Sequence, residues 1–224
     1  MRFVALLSLL LIVSCGRPLT EAEARFASQM HGPEIDVSQV RFVQGALVGS
    51  VTYKRLKRPR LACRERIFPE PTSDYVTVGP AAVTLHNKVF YTRPFYAKDY
   101  LQNYPDEMDL YAAMLFAHEI THVWQWQNRA KTGYTPLRAS REHLAQADPY
   151  LFDISTRTRF LDYGFEQQAG IVEEYVCCTA LDPDASRTGR LKDLLSSAFP
   201  LGRLTIADKV VLPWDEAETR GICR

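Results

Sequence analysis

The sequence predicts an α+β fold in which a small twisted antiparallel sheet packs on one helix that carries an HExxH motif. Between residues 40 and 91 the apolar residues are β-branched or aromatic, and turn signals such as Gly79-Pro80 separate their short runs. After Tyr104-Pro105 the pattern becomes helical and stays so over most of the remaining chain. Strands followed by helices, without alternation, are typical of the α+β class.

Individual elements follow from local signals. Residues 83–85 and 89–91 flank His86-Asn87-Lys88, which predicts a β-hairpin. Helices are predicted over residues 107–131, 164–180 and 188–198. Asp106 is the expected N-cap of the first of these helices, and Gly133 is its expected stop.

The composition excludes several classes of protein. With 46% hydrophobic and 24% charged residues the chain is an ordinary globular protein and not a disordered or fibrous one. Its formal charge of +1 argues against a dedicated nucleic-acid binder, so no nucleic-acid partner is expected. No oligomeric state follows from the sequence.

The N-terminus has the pattern of an exported, lipid-modified protein. Residues 1–14 contain one Arg and an apolar stretch too short to span a bilayer, as in a signal peptide. Ile12-Val13-Ser14-Cys15-Gly16 resembles a bacterial lipobox, which implies acylation of Cys15 and a place on the outer membrane facing the periplasm. The expected organisation is a signal peptide (1–14), a lipid-anchored tether (15–31) and one domain (32–224), β-rich over 32–105 and mainly helical over 106–224.

The five cysteines fit an oxidising compartment. If Cys15 carries lipid, an even number remains: Cys63, Cys177, Cys178 and Cys223. Because a bond between adjacent cysteines closes a strained ring, the expected bridges join Cys63 and Cys223 to the 177–178 pair, in either pairing.

The chemistry is concentrated at His118, Glu119 and His122, which form the HExxH motif. Residues four apart lie on one face of a helix, so both imidazoles can reach one Zn²⁺ at about 2.0–2.1 Å. Glu119 is placed to act as general base on a zinc-bound water.

A catalytic zinc site needs a third protein ligand and one open position. The metzincin pattern is excluded, since Asn128 and Gln125 stand where His and Gly would be required. Glu166, at the start of the second predicted helix, is the best candidate ligand. Glu173 is the alternative, either as a ligand itself or as a partner behind the ligands.

These segments, HEITHVWQ and FLDYGFEQQAGIVEEY, resemble the gluzincin metallopeptidases, and in particular small bacterial members with HExxHVxQ and a later EQQA. The resemblance implies His118, His122 and Glu166 as zinc ligands and Glu119 as the catalytic base. Many gluzincins carry Asp four residues after the ligand Glu, where this chain has Gly170.

The resulting hypothesis is a zinc metallopeptidase of the cell envelope that acts on a peptide or protein substrate and is held at the membrane through Cys15. Tyr163, Tyr150 and His143 are candidate stabilisers of the developing oxyanion. Two alternatives remain. One is a non-catalytic envelope lipoprotein, an assembly factor or adaptor whose contact surface is the basic run between Lys54 and Arg66. The other is a cell-wall peptide amidase.

Overall fold

The computed structural model describes residues 16–45, 52–145 and 148–224, which form a mixed α+β fold. The α+β class predicted from the sequence is therefore confirmed. The helices of this part of the chain are α1 (Glu21–His31), α2 (Cys63–Arg66), α3 (Leu110–Gln127), α4 (Arg129–Thr132), α5 (Pro136–Ala145), α6 (Phe165–Leu181) and α7 (Ser186–Ser196). Its strands are β1 (Arg41–Gln44), β2 (Tyr53–Leu56), β3 (Tyr75–Val78), β4 (Ala82–Leu85), β5 (Lys88–Tyr91), β6 (Glu107–Asp109) and β7 (Lys209–Val211).

The main sheet has three strands in the order β1-β5-β4 and is mixed, not purely antiparallel. The hairpin β4–β5 forms with His86-Asn87 as its turn. Strand β1 pairs parallel to β5, because the chain leaves the sheet after β1 and forms the separate ribbon β2–β3 before the hairpin begins. A parallel neighbour requires such an excursion, which local patterns do not reveal.

Strand β6 takes residues that were expected in the first turn of a helix. It pairs in parallel with β7, about a hundred residues later in the chain. Helix α3 therefore starts at Leu110, and Asp109 caps it by accepting a hydrogen bond from the Ala112 N–H at 2.9 Å.

Helix α3 is the centre of the molecule. Residues 113–125 are all buried, so the helix is covered on every side and is not amphipathic. Helix α6 packs along it, and β4 and β5 lie against it. An aromatic cluster covers another side, with the rings of Phe42 and Phe116 5.8 Å apart. Each fully buried ring of this kind contributes roughly 1.5–3 kcal/mol.

The segment expected to be a tether packs against the rest of the domain, and one face of its helix is buried. Helix α1 buries Phe26 and Met30 completely, and Thr20 and Glu23 form a capping box at its start. Arg17 pairs with the buried Glu23 carboxylate at 2.7 Å. The predicted signal peptide and Cys15 lie outside the described residues. Among the helices that are described, none is both long and apolar enough to cross a membrane.

Two disulfides attach distant parts of the chain to α6. Cys63 on α2 is bonded to Cys177, and Cys178 is bonded to Cys223 near the C-terminus. The structure thus selects one of the two pairings that the sequence left open.

Candidate metal centre and active site

Helix α3 brings two imidazoles together at its middle. His118 and His122 lie one turn apart on one face, and their Nε2 atoms are 3.2 Å from each other. Each side chain is only 7% exposed. The Nε2 atoms point to the same small space because the four-residue spacing matches the helical repeat.

Glu166 in the first turn of α6 supplies a third donor atom. Its Oε2 lies 3.2 Å from His118 Nε2 and 3.3 Å from His122 Nε2. Neighbouring ligand atoms of a tetrahedral zinc ion with bonds of about 2.0–2.1 Å are about 3.3 Å apart. The three atoms therefore form a triangle of the size that one face of such a site requires, and these residues could hold a metal ion.

A second cluster of metal-type side chains contains Cys63, Cys178 and Cys223. Their sulfur atoms lie close together, but all three belong to disulfides. A metal ion needs the thiolate, which a disulfide does not offer. Of these two clusters among the described residues, the histidine–carboxylate triad is therefore the one that fits a metal.

The charges around the triad favour a cation. Burial by itself would raise the pKa of Glu166, but the imidazoles of His122 and His118 lower it well below its usual value. Burial would lower the pKa of His118, yet the neighbouring charges of Glu173 and Glu166 raise it to about 10. Ionised carboxylates thus dominate the potential at the triad, as expected for a place that holds positive charge.

Glu119 lies beside the triad, where a carboxylate can act as a base. It is 4% exposed, and the Thr84 hydroxyl of β4 donates a hydrogen bond of 2.7 Å to its Oε2. Burial raises the pKa of Glu119. A carboxyl with a raised pKa is a stronger base once ionised. Nothing in the sequence identified Thr84 as part of the site.

Glu173 lies behind His118 and not among the three converging donor atoms. Its Oε1 is 3.3 Å from His118 Nδ1, the ring nitrogen that faces away from the triad. Of the two places predicted for Glu173, the structure shows the one behind the ligands. At Gly170 an added Cβ would meet the Phe152 ring at 3.1 Å, so the glycine lets this ring pack closely while Glu173 approaches His118.

Gln125 contacts His122, the second histidine of the triad, through the ring nitrogen Nδ1. Its Oε1 is 2.8 Å from His122 Nδ1, and its Nε2 donates to Phe165 O and Gln168 Oε1, both at 3.0 Å. This amide therefore links the HExxH helix to the start of α6. In the sequence this Gln stands three residues after the second His of the motif, but its role became visible only in the structure.

The candidate oxyanion residues are placed differently from one another. The Tyr163 hydroxyl donates to Asp153 O at 3.0 Å and braces a loop. The Tyr150 ring lies 5.8 Å from the His118 ring, whereas the His143 side chain is outside what the structure describes. Tyr134, which the sequence did not single out, lies 6.3 Å from His122 between ring centres. Burial, with the charges of nearby carboxylates, raises the pKa of both Tyr134 and Tyr150.

The basic run does not form a free cationic surface, because most of its members are bonded within the protein. Arg58 forms a bidentate pair with Asp148 at 2.6 and 2.7 Å. Arg66 donates to Ile222 O at 2.6 Å, and Arg64 pairs with Glu173 at 2.6 Å. A role of this run as a contact surface stays a prediction.

Comparison with known proteins gives a short sequence match. Over 88 residues, 39% of this chain, the sequence is 31% identical to the type VI secretion system spike protein VgrG2b of Pseudomonas aeruginosa. The match covers 8% of that protein, so the chain spans only a small part of its relative's length. No protein-family profile matches the chain.

A solved structure, the effector domain of the same VgrG2b, is similar over most of both chains. The TM-score is 0.51 at 22% sequence identity, and the superposition covers 83% of this chain and 84% of the solved one. The two chains share a fold. At this level of identity the likeness concerns the fold alone.

These comparisons correct the family and function inferred from the sequence. Both matches are to a type VI secretion effector protein and not to a gluzincin peptidase. The gluzincin resemblance, and the cell-envelope metallopeptidase deduced from it, are therefore wrong. The adaptor and amidase alternatives find no support in these matches either. An HExxH motif needs only the helical repeat, and the same chemistry recurs on unrelated folds, so the motif by itself does not identify a family.

Proposed function

We propose that the chain is a zinc-dependent hydrolase that acts as an effector-type catalytic domain. The observation that carries the proposal is the triangle of His118 Nε2, His122 Nε2 and Glu166 Oε2, with edges of 3.2–3.3 Å, beside the buried carboxylate of Glu119. Nitrogen and oxygen donors in a tetrahedral arrangement favour zinc among the common divalent metals.

The residues around the triad have distinct chemical tasks. A bound zinc ion would supply Lewis acidity, polarising a substrate carbonyl and making water more acidic. Glu119 takes the proton from the attacking water and passes it to the leaving group. Thr84 orients the Glu119 carboxylate, while Gln125 and Glu173 face the Nδ1 atoms of the two histidines and keep each Nε2 lone pair turned toward the triad.

Metal analysis and one conservative substitution test the enzyme proposal. Purified wild-type protein is expected to contain about one equivalent of zinc. Glu119→Gln should keep the zinc and lose hydrolysis across a panel of fluorogenic amides and esters. Glu21→Gln, at a side chain that is 92% exposed, is the matched control and should keep both. Absence of stoichiometric zinc, or full activity of Glu119→Gln, would contradict the proposal.

The effector assignment rests on the shared fold and on the 88-residue match. We infer further that the chain works in an oxidising compartment, as the signal-like N-terminus and the two disulfides support. Production in a bacterial host, with and without an export signal, tests both points. Exported wild-type protein should arrest growth, and exported Glu119→Gln should not. Equal toxicity of both variants, or harmless export of the wild type, would refute the effector assignment.

A further inference from the structure

The Glu173 carboxylate lies between a histidine of the triad and an arginine from another part of the chain. Its Oε1 is 3.3 Å from His118 Nδ1, and its Oε2 is 2.6 Å from Arg64 Nη1. One carboxylate thus contacts both groups, each through a different oxygen. The Glu173 side chain is only 6% exposed, whereas that of Arg64 is one-third exposed.

The arginine offsets the cost of burying this carboxylate and fixes its orientation through a direct contact of 2.6 Å. Burying a carboxylate costs free energy because the carboxylate loses its contacts with water, and an imidazole partner by itself offsets little of that cost. A directly bonded guanidinium offsets more of it. With its Oε1 3.3 Å from His118 Nδ1, Glu173 favours the ring tautomer that carries its proton on Nδ1 and turns the Nε2 lone pair toward the triad. Removing the Arg64 charge should weaken this orientation although Arg64 touches neither ligand nor substrate.

Arg64 itself is held in place by α6. It belongs to α2, which has four residues and is too short to be stable by itself. The preceding residue, Cys63, is bonded to Cys177, and its N–H donates to Glu174 Oε2 at 2.8 Å. The Glu174 side chain that accepts this hydrogen bond is itself buried. Helix α2 is therefore held on α6 by an ion pair, a hydrogen bond and a disulfide, at residues 173, 174 and 177.

We propose that Arg64 is a positioning residue of the metal centre, which acts on His118 through Glu173, and that the Cys63–Cys177 disulfide keeps it there. The inference rests on the proposed function, since it concerns the affinity of the same triad for zinc. Zinc affinity should therefore depend on the Cys63–Cys177 disulfide and on the Arg64 guanidinium, although neither is a metal ligand. The neighbouring Cys178–Cys223 disulfide, which anchors the C-terminal segment, should not have this effect.

Zinc affinity, measured by competition with a chromophoric chelator, tests the role of Arg64. Arg64→Gln should weaken zinc binding about 10-fold, and Arg64→Lys should restore most of the affinity because the charge is retained. Arg66→Gln is the matched control, since Arg66 lies on the same short helix and donates to the main-chain carbonyls of Gly221 and Ile222. A purely structural Arg64 would alter the unfolding of the metal-free protein but leave zinc affinity unchanged.

The disulfide is tested by a double-mutant cycle. Cys63→Ser/Cys177→Ser should weaken zinc binding as Arg64→Gln does, and combining the changes should add little. Cys178→Ser/Cys223→Ser should leave zinc affinity near that of the wild type. If folded Arg64→Gln binds zinc like the wild type, or if the effects add fully, the inference is overturned while the proposed function stands. If the wild type binds no zinc, the proposed function fails first.

Discussion

Thr84 on β4 donates a hydrogen bond of 2.7 Å to Glu119 on α3, and thereby joins the edge of the sheet to the carboxylate that we propose as the base. Strand β4 is an outer strand of the three-stranded sheet, so the residues around this contact come from the boundary between sheet and helix. The contact makes the orientation of the Glu119 carboxylate a property of the packing between two elements, and not of α3 by itself.

Thr84→Val should impair catalysis without removing metal. Val has nearly the shape of Thr but no donor, and a hydrogen bond to a charged group contributes about 1.5–3 kcal/mol. We expect kcat to fall at least about 10-fold while zinc content stays at the wild-type level. Thr92→Val is the control, because Thr92 is equally buried but donates to Ala81 O. Equal kcat values for the two variants would show that Thr84 does not orient the base.

Gln125→Leu should lower zinc affinity by about 10- to 100-fold, the usual effect of losing a partner of a ligating histidine. The substitution removes the acceptor that lies 2.8 Å from His122 Nδ1. Chelator competition measures the change. Gln127→Leu, on the same helix but bonded to Asp36 and Asn87 at the surface, should bind zinc normally. A similar loss in both variants would point to general damage of α3.

The Arg58–Asp148 ion pair should make the free energy of unfolding depend on pH under acidic conditions. Burial by itself would raise the pKa of Asp148, but the hydrogen bonds and charge of Arg58 lower it below its usual value. The stabilising contribution of the pair is therefore complete above about pH 5 and is lost as pH falls through the lowered pKa. Asp148→Asn should cost about 1 kcal/mol at pH 7, measured by urea unfolding, and less at pH 3. The exposed Asp162, changed to Asn, is the control and should matter less. A cost for Asp148→Asn that does not depend on pH would contradict this explanation.

Phe26→Ala tests whether α1 belongs to the core. Phe26 is fully buried, and its ring contacts Tyr104 and Phe116. Loss of a buried ring costs about 3–5 kcal/mol, which urea unfolding would detect. Arg25→Ala, on the exposed side of the same helix, should change stability little. A small effect of Phe26→Ala would mean that α1 behaves as a tether.

Local sequence patterns predicted the elements that are specified by residues close together in the chain. The β4–β5 hairpin and helix α6 lie within a residue or two of their predicted positions, because turn residues and apolar periodicity act over short distances. The start of α3 was misplaced by three residues, since Glu107 enters a strand whose partner, Lys209, lies far along the chain. Helix α1 was taken for part of a tether because its burial depends on packing partners that are distant in the sequence.

By itself the sequence determined the spacing of His118 and His122 and the identity of Glu119, because a helical repeat converts a four-residue interval into one shared face. It also left four cysteines to pair. Only the tertiary structure decided that Glu166 comes within 3.3 Å of both imidazoles while Glu173 stays behind His118. Only the tertiary structure, likewise, brought Thr84 to Glu119 and Arg64 to Glu173. These contacts are made across elements. They are set by the packing of α6 and β4 against α3 and of α2 against α6, which no local pattern encodes.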